Sequence, residues 1–211
     1  MSRLLRRALG NTRLYATWKA LGHYPDYAWW LLRGRPLRSP HLVKQRAVLD
    51  YARRFGLQTL VETGTYYGEM VSATRCHFRR IYSIEMDERL AELARRRFRR
   101  FPHVEILQGD SQEVIPRVLA QLREPCLFWL DAGYYGWAQQ VGKMDRLSVE
   151  LRAILAHPYE HVILLDDAHG VDGRNGAPTM ADLMAGITRD FPARSLEVRH
   201  DILRICPHRS E

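Results

Sequence analysis

Five short, nearly continuous apolar runs punctuate the sequence, and each stops at an acidic residue: LQTLVETG, RRIYSIEMD, HVEILQGD, PCLFWLDAG and HVILLDDAHG. Apolar runs of that length without alternation are strands covered on both faces. Helical patterns separate them. HLVKQRAVLDYARRFG closes at Gly56, with Leu42, Ala47 (or Val48), Tyr51 and Phe55 facing inward. Further helices are expected over 68–78, in ERLAELARRRFRR, over 111–123, near 144–156 and over 179–190. RSLEVRHDILRIC reads as two strands in a tight hairpin. Strands alternating with helices predict an α/β fold: a doubly wound, mostly parallel seven-stranded sheet with an antiparallel C-terminal strand. Ligands of such sheets bind beyond the carboxyl ends of the strands, which is where this chain keeps its acids.

A length of 211 residues fits one domain with an appendage. Residues 41–211 carry the alternating pattern, whereas 1–40 form a basic, aromatic extension whose one acidic residue is Asp26. Leu4, Leu5, Ala8 and Leu9 share a helical face flanked by Arg3, Arg6 and Arg7, and Trp29–Leu32 is a compact apolar cluster. Two uses fit: a lid over the domain, which we favour, or an interfacial anchor on anionic membrane. No apolar run approaches the roughly 20 residues that span a bilayer. The N-terminus lacks the apolar core and cleavage site of a signal peptide. Cys76, Cys126 and Cys206 are isolated and odd in number, which predicts neither disulfides nor zinc, a buried Cys126 and Cys206, and a cytoplasmic setting.

The loop after the first run is VETGTYYGE, in which Glu62, Thr63, Gly64, Thr65, Tyr66 and Gly68 make an ExGxxxG turn into a helix. Glycine there permits a sharp turn and close approach of a ligand. A dinucleotide fingerprint needs GxGxxG, and Tyr66 stands where its second glycine belongs. Glu85 ends the second run at the spacing of a carboxylate that accepts hydrogen bonds from ribose hydroxyls. Asp110 and Ser111 end the third, placed either to meet an adenine ring or to cap the helix that follows.

The ordered series ExGxxxG, strand-two acid and GDS resembles the cofactor site of class I S-adenosylmethionine-dependent methyltransferases, over roughly residues 41–207. The resemblance implies that Glu62, Thr63, Gly64, Thr65, Tyr66 and Gly68 meet the methionine part. It implies that Glu85 holds the ribose, and that Asp110 and Ser111 face adenine, with Asp131 beside the cofactor. Small bacterial methyltransferase-like proteins with ETGTxxG, FWLDxHYSG and ILIDDAR motifs are similar, including the lead-in SPHLVKQR…YARRFGL. More distantly the chain resembles metal-dependent catechol and macrolide-sugar O-methyltransferases.

Asp131 ends the fourth run, and Asp166 and Asp167 the fifth. Three converging carboxylates repel one another, and a hard divalent ion such as Mg²⁺ relieves this and orients a diol for in-line methyl transfer. Gly133 and His169 depart from the similar proteins, which carry histidine and arginine there. His169, Tyr134 and Lys143 all qualify by position as general base, and His169 leads because imidazole titrates nearest neutrality. The expected activity is O-methylation of a hydroxylated small molecule or glycan. The alternatives are a nucleic-acid-modifying methyltransferase, favoured by a net charge of +8 and RRRFRRF, and a non-catalytic binder of the same cofactor. Amino-methylating enzymes carry a (N/D)PP(Y/F) motif after strand four, and DAGYYG lacks both prolines.

Overall fold

A computed structural model describes residues 25–34, 38–131, 150–173 and 179–208. Helix α1 covers 25–32, α2 is His41–Phe55, β1 Thr59–Thr63, α3 Glu69–Thr74, β2 Arg80–Glu85, α4 Glu88–Phe98, β3 Val104–Gln108, α5 Ser111–Leu119 and β4 Leu127–Leu130. Helix α6 is described over 150–155 and is followed by β5 Val162–Leu165, a 3₁₀ turn Ala168–Gly170, α7 Met180–Asp190, β6 Arg194–Arg199 and β7 Ile202–Pro207. The seven strands form one sheet in the order β3-β2-β1-β4-β5-β7-β6. Strands β1 to β5 pair in parallel, and β7 runs antiparallel to both β5 and β6. The predicted sheet, including its reversed last strand, is the observed one.

Alternate residues of the central strands serve two separate cores. Val61, Phe128, Leu130 and Ile163 pack into one layer with α5, α6 and α7, while Leu60, Leu127, Trp129 and Leu164 pack into the other with α2, α3 and α4. Coverage on both faces is why these runs lack alternation. Cys126 and Cys206 are buried free thiols, as expected, and Cys76 is exposed.

Helix ends depart from the sequence reading. Helix α3 stops at Thr74 instead of 78, because the backbone tightens there and His77 and Phe78 donate to the Thr74 carbonyl. Helix α5 stops at Leu119 instead of 123, where Gln121 and Leu122 bond back three residues rather than four. Helix α2 ends as predicted, at Gly56 in the left-handed conformation, yet its innermost face is Val43, Ala47, Val48 and Ala52. Ala47 and Val48 are buried as expected, while Leu42, Tyr51 and Phe55 are only partly buried, Tyr51 and Phe55 packing at the edge of the same core.

Candidate active site

Strand β1 delivers Glu62 and Thr63 into the sheet interior, Glu62 being 2% exposed. The chain then turns through Gly64 (φ 82°), Tyr66 (φ 48°) and Gly68 (φ 69°), all left-handed. The loop is fastened to β2. Gly64 and Thr65 both donate their amides to the Ile84 carbonyl, at 2.9 and 3.2 Å, and Gly68 donates to Thr65 at 2.7 Å. The Tyr66 amide donates to Glu85 Oε2 at 2.7 Å, and the Asp87 amide to Glu85 Oε1 at 3.0 Å. These inward-turned amides are not arrayed as a cradle for pyrophosphate, which needs backbone N–H groups aimed at the ligand. The loop instead frames carboxylates.

Beneath it, Thr65 donates to Ser83 at 2.6 Å and Ser83 to Glu62 Oε2 at 2.5 Å. Burial pushes Glu62 up to about 8, helped by Asp131 and Glu85 nearby and opposed by the Ser83 hydrogen bond. Gly68 has a packing duty: a Cβ on it would stand 2.5 Å from Phe98 Cε2. Asp110 is the N-cap of α5, accepting from the Gln112 amide at 3.1 Å, so the capping alternative is realised. Ser111 donates to the carboxylate of Glu150, a buried residue of α6.

The aspartates that end β4 and β5 do meet. Side-chain oxygens of Asp131, Asp166 and Asp167 all lie within 4.8 Å of one another. Among them stands a residue that the motifs did not single out, Lys44 of α2. Its Nζ is 2.5 Å from Asp166 Oδ2 and 3.1 Å from Asp167 Oδ1. Burial alone would depress the Lys44 ammonium, but Asp166, Asp167 and Asp131 more than offset this and raise it. Burial and mutual repulsion raise both Asp131 and Asp166, with Lys44 pulling the other way. The charges do not balance, since three carboxylates face one ammonium. The Asp166 side chain is 0% exposed, and its Oδ1 has no hydrogen-bond partner. A buried carboxylate oxygen left in that condition is costly. The donor set, all carboxylate oxygen with a formal deficit of two positive charges, fits a hard divalent ion such as Mg²⁺.

Asp167 (φ 50°) belongs to a second group as well, with His169 and Asp201, again within 4.8 Å. Asp201, in the β6–β7 hairpin turn, was not anticipated. Its side chain is 1% exposed and clasps His169 twice, accepting from the backbone amide at 2.8 Å and meeting Nδ1 at 2.6 Å. A carboxylate at Nδ1 fixes the ring so that Nε2 is the proton-accepting nitrogen. His200 and Asp201 both hold φ above zero (51° and 61°), as a two-residue hairpin turn of this type requires. Tyr134 and Lys143, the other candidate bases, lie outside the described residues. A groove of about 500 Å³ between α2 and the β6–β7 edge, lined by Tyr51, Phe55, Glu197 and Arg204, contains none of these site residues.

Two signals in the sequence point to the missed residues. Lysine occurs only at 19, 44 and 143 among 32 basic side chains, so an isolated lysine inside an amphipathic helix stands out. Asp201 falls between two strand-like runs, where a turn residue was expected in any case.

No family model matches the chain, and no curated protein matches its sequence. Solved structures do match. An O-methyltransferase from Bacillus cereus in complex with SAH superposes with a TM-score of 0.59 at 14% identity, over 97% of this chain and 96% of that one. An SAH-bound methyltransferase from Podospora anserina gives 0.58 at 16% identity, over 88% and 87%. TomG, an O-methyltransferase of tomaymycin synthesis from Streptomyces achromogenes in complex with SAM, gives 0.54 at 14% identity, over 87% of each chain. The chain thus has the Rossmann-like fold of class I methyltransferases.

Proposed function

We propose that the protein is an S-adenosylmethionine-dependent O-methyltransferase acting on a hydroxylated small molecule or glycan. The observation that carries this reading is the Glu85 carboxylate at the end of β2, held by the Tyr66 and Asp87 amides against a glycine loop whose own amides turn inward. A ribose-binding acid beside a loop unsuited to pyrophosphate favours an adenosyl cofactor without phosphates. The Glu85 and Asp110 carboxylates at neighbouring strand ends favour a cationic cofactor over an anionic dinucleotide. S-adenosylmethionine supplies the electrophilic methyl group.

On the acceptor side, Asp131, Asp166 and Asp167 are the residues that would hold a divalent ion, which when bound supplies charge neutralisation and acidification of an acceptor hydroxyl. His169, fixed by Asp201, is the proposed acceptor of the hydroxyl proton at Nε2. Asp201 acts through His169 and is a positioning residue. Transfer to oxygen is an in-line displacement, so the aligned strand ends contribute chiefly by positioning.

Calorimetry with S-adenosylmethionine tests the cofactor assignment. Wild type is expected to bind, and Glu85→Gln to bind about 10- to 100-fold more weakly, because a charge-assisted hydrogen bond is worth ~1.5–3 kcal/mol. Preferential binding of NAD would overturn the reading.

A further inference from the structure

We propose that Lys44 is a built-in competitor for the divalent ion, setting the affinity of the Asp131–Asp166–Asp167 cluster by occupying oxygens that the ion needs. This rests on the ion reading above. Lys44 Nζ bridges Asp166 Oδ2 and Asp167 Oδ1 at 2.5 and 3.1 Å, so two of the three carboxylates already serve a cation. The buried Asp166 Oδ1 has no partner, which marks the cluster as only partly satisfied by the lysine. An ammonium and a divalent ion repel each other at such separations, and both draw on the same lone pairs. Full coordination by Asp166 and Asp167 therefore requires Nζ to leave.

Helix α2 is anchored through Val43, Ala47, Val48 and Ala52, so its backbone stays in place, while the Lys44 side chain is 15% exposed. Its four-carbon stem can swing the ammonium outward without disturbing the helix. In a chain that otherwise uses arginine almost throughout, lysine supplies the compact charge that fits between two carboxylates and carries no planar fork to lock it there. Without an ion, Lys44 holds the two strand ends together against their own repulsion. With one, it withdraws, so the ion binds more weakly than three carboxylates alone would bind it.

Mn²⁺ binding, followed by the electron paramagnetic resonance signal of the free ion, tests this on the full chain without any turnover. Lys44→Met is expected to bind Mn²⁺ at least ~10-fold more tightly than wild type. Asp166→Asn, as control, is expected to bind more weakly than either. Lys44→Gln, neutral but polar, gives the same comparison if Lys44→Met does not fold. Equal affinity in wild type and the neutral variants would overturn the role of Lys44 and leave the ion site standing. Weaker binding by the neutral variants would overturn competition in favour of assistance. Absence of Mn²⁺ binding in wild type and neutral variants alike would overturn the ion site and this inference with it.

Discussion

Glu62 is the residue whose surroundings most directly set a measurable property. Burial holds its carboxyl at about 8, against an ordinary value of 4.5. Between those values the folded state binds more protons than the unfolded one, so this group's contribution to stability falls as pH rises from about 4.5 to about 8, then levels. Glu62→Gln removes the ionisation while keeping an acceptor for the Ser83 hydroxyl. The ligand-free Gln variant is therefore expected to gain on wild type across that window, by a few kcal/mol at most on the order set by ~1.4 kcal/mol per pKa unit. Urea unfolding at about pH 5.5 and pH 8.5 measures this, and parallel pH profiles for the two proteins would contradict it. Glu62 was legible in the sequence, as were Glu85, Asp131, Asp166 and Asp167, because each ends an apolar run and strand ends of a parallel sheet converge. Lys44 and Asp201 were not singled out, because α2 and the hairpin turn reach the site only through tertiary packing. Their local sequence is that of an ordinary surface helix and an ordinary turn.

At the scale of elements, strand identity and order were readable because burial on both faces writes itself as uninterrupted apolar sequence. Helix ends were read less well, since a closing turn that tightens to three-residue bonds keeps the same apolar spacing as the helix before it. Helix α2 was found and its inward face was read in part: Ala47 and Val48 are buried and Tyr51 and Phe55 pack at the edge of the same core, while the buried Val43 and Ala52, small or β-branched, were not named. The junction of β1 with α3 is fixed by a close approach. Gly68 is left-handed and sits against Phe98 of α4, so Gly68→Ala meets both a backbone penalty and an overlap at 2.5 Å. Left-handed alanine costs ~1–2 kcal/mol and overpacking ~1–3 kcal/mol. Chemical denaturation of Gly68→Ala is expected to reveal a loss of about 2–5 kcal/mol. Combination with Phe98→Leu is expected to cost less than the sum of the two single losses, because the smaller side chain removes the overlap. Strict additivity would show that contact with Phe98 is not the reason for glycine at this position.

Across the whole molecule, charge is distributed unevenly in a way that the net value conceals. Residues 1–40 contain eight Lys and Arg and one Asp, leaving residues 41–211 with 24 basic and 23 acidic side chains. The sheet domain is thus nearly neutral, and the basic field that favoured nucleic acid belongs to the extension. Part of that extension is fastened to the site. Trp30 of α1 is 4% exposed and meets His200 edge-on at 5.2 Å, beside the Asp201 that clasps His169. Ser39 donates to the His200 carbonyl at 2.7 Å, a second tie to the same turn. Trp29 and Leu32, three residues apart, face outward at 55% and 85% exposure. Helix α1 therefore has one buried residue packed on the β6–β7 turn and an outward-facing pair, Trp29 and Leu32. No helix of the described residues is long and apolar enough to cross a membrane. A chain of residues 37–211 is expected to stay folded and to bind S-adenosylmethionine as the 1–211 chain does, because Glu62, Glu85 and Asp110, proposed to meet the cofactor, lie in the sheet domain. Its melting temperature should fall, as should that of Trp30→Ala, for loss of a buried aromatic worth ~3–5 kcal/mol. On the anchor reading, the 1–211 chain floats with anionic vesicles at low salt and is released at high salt while the 37–211 chain stays in solution; on the favoured lid reading neither chain floats. Trp29→Ser with Leu32→Ser separates the two contributions. If the basic charges alone hold the protein, the double variant floats as wild type does; if the outer pair inserts, it is released at lower salt.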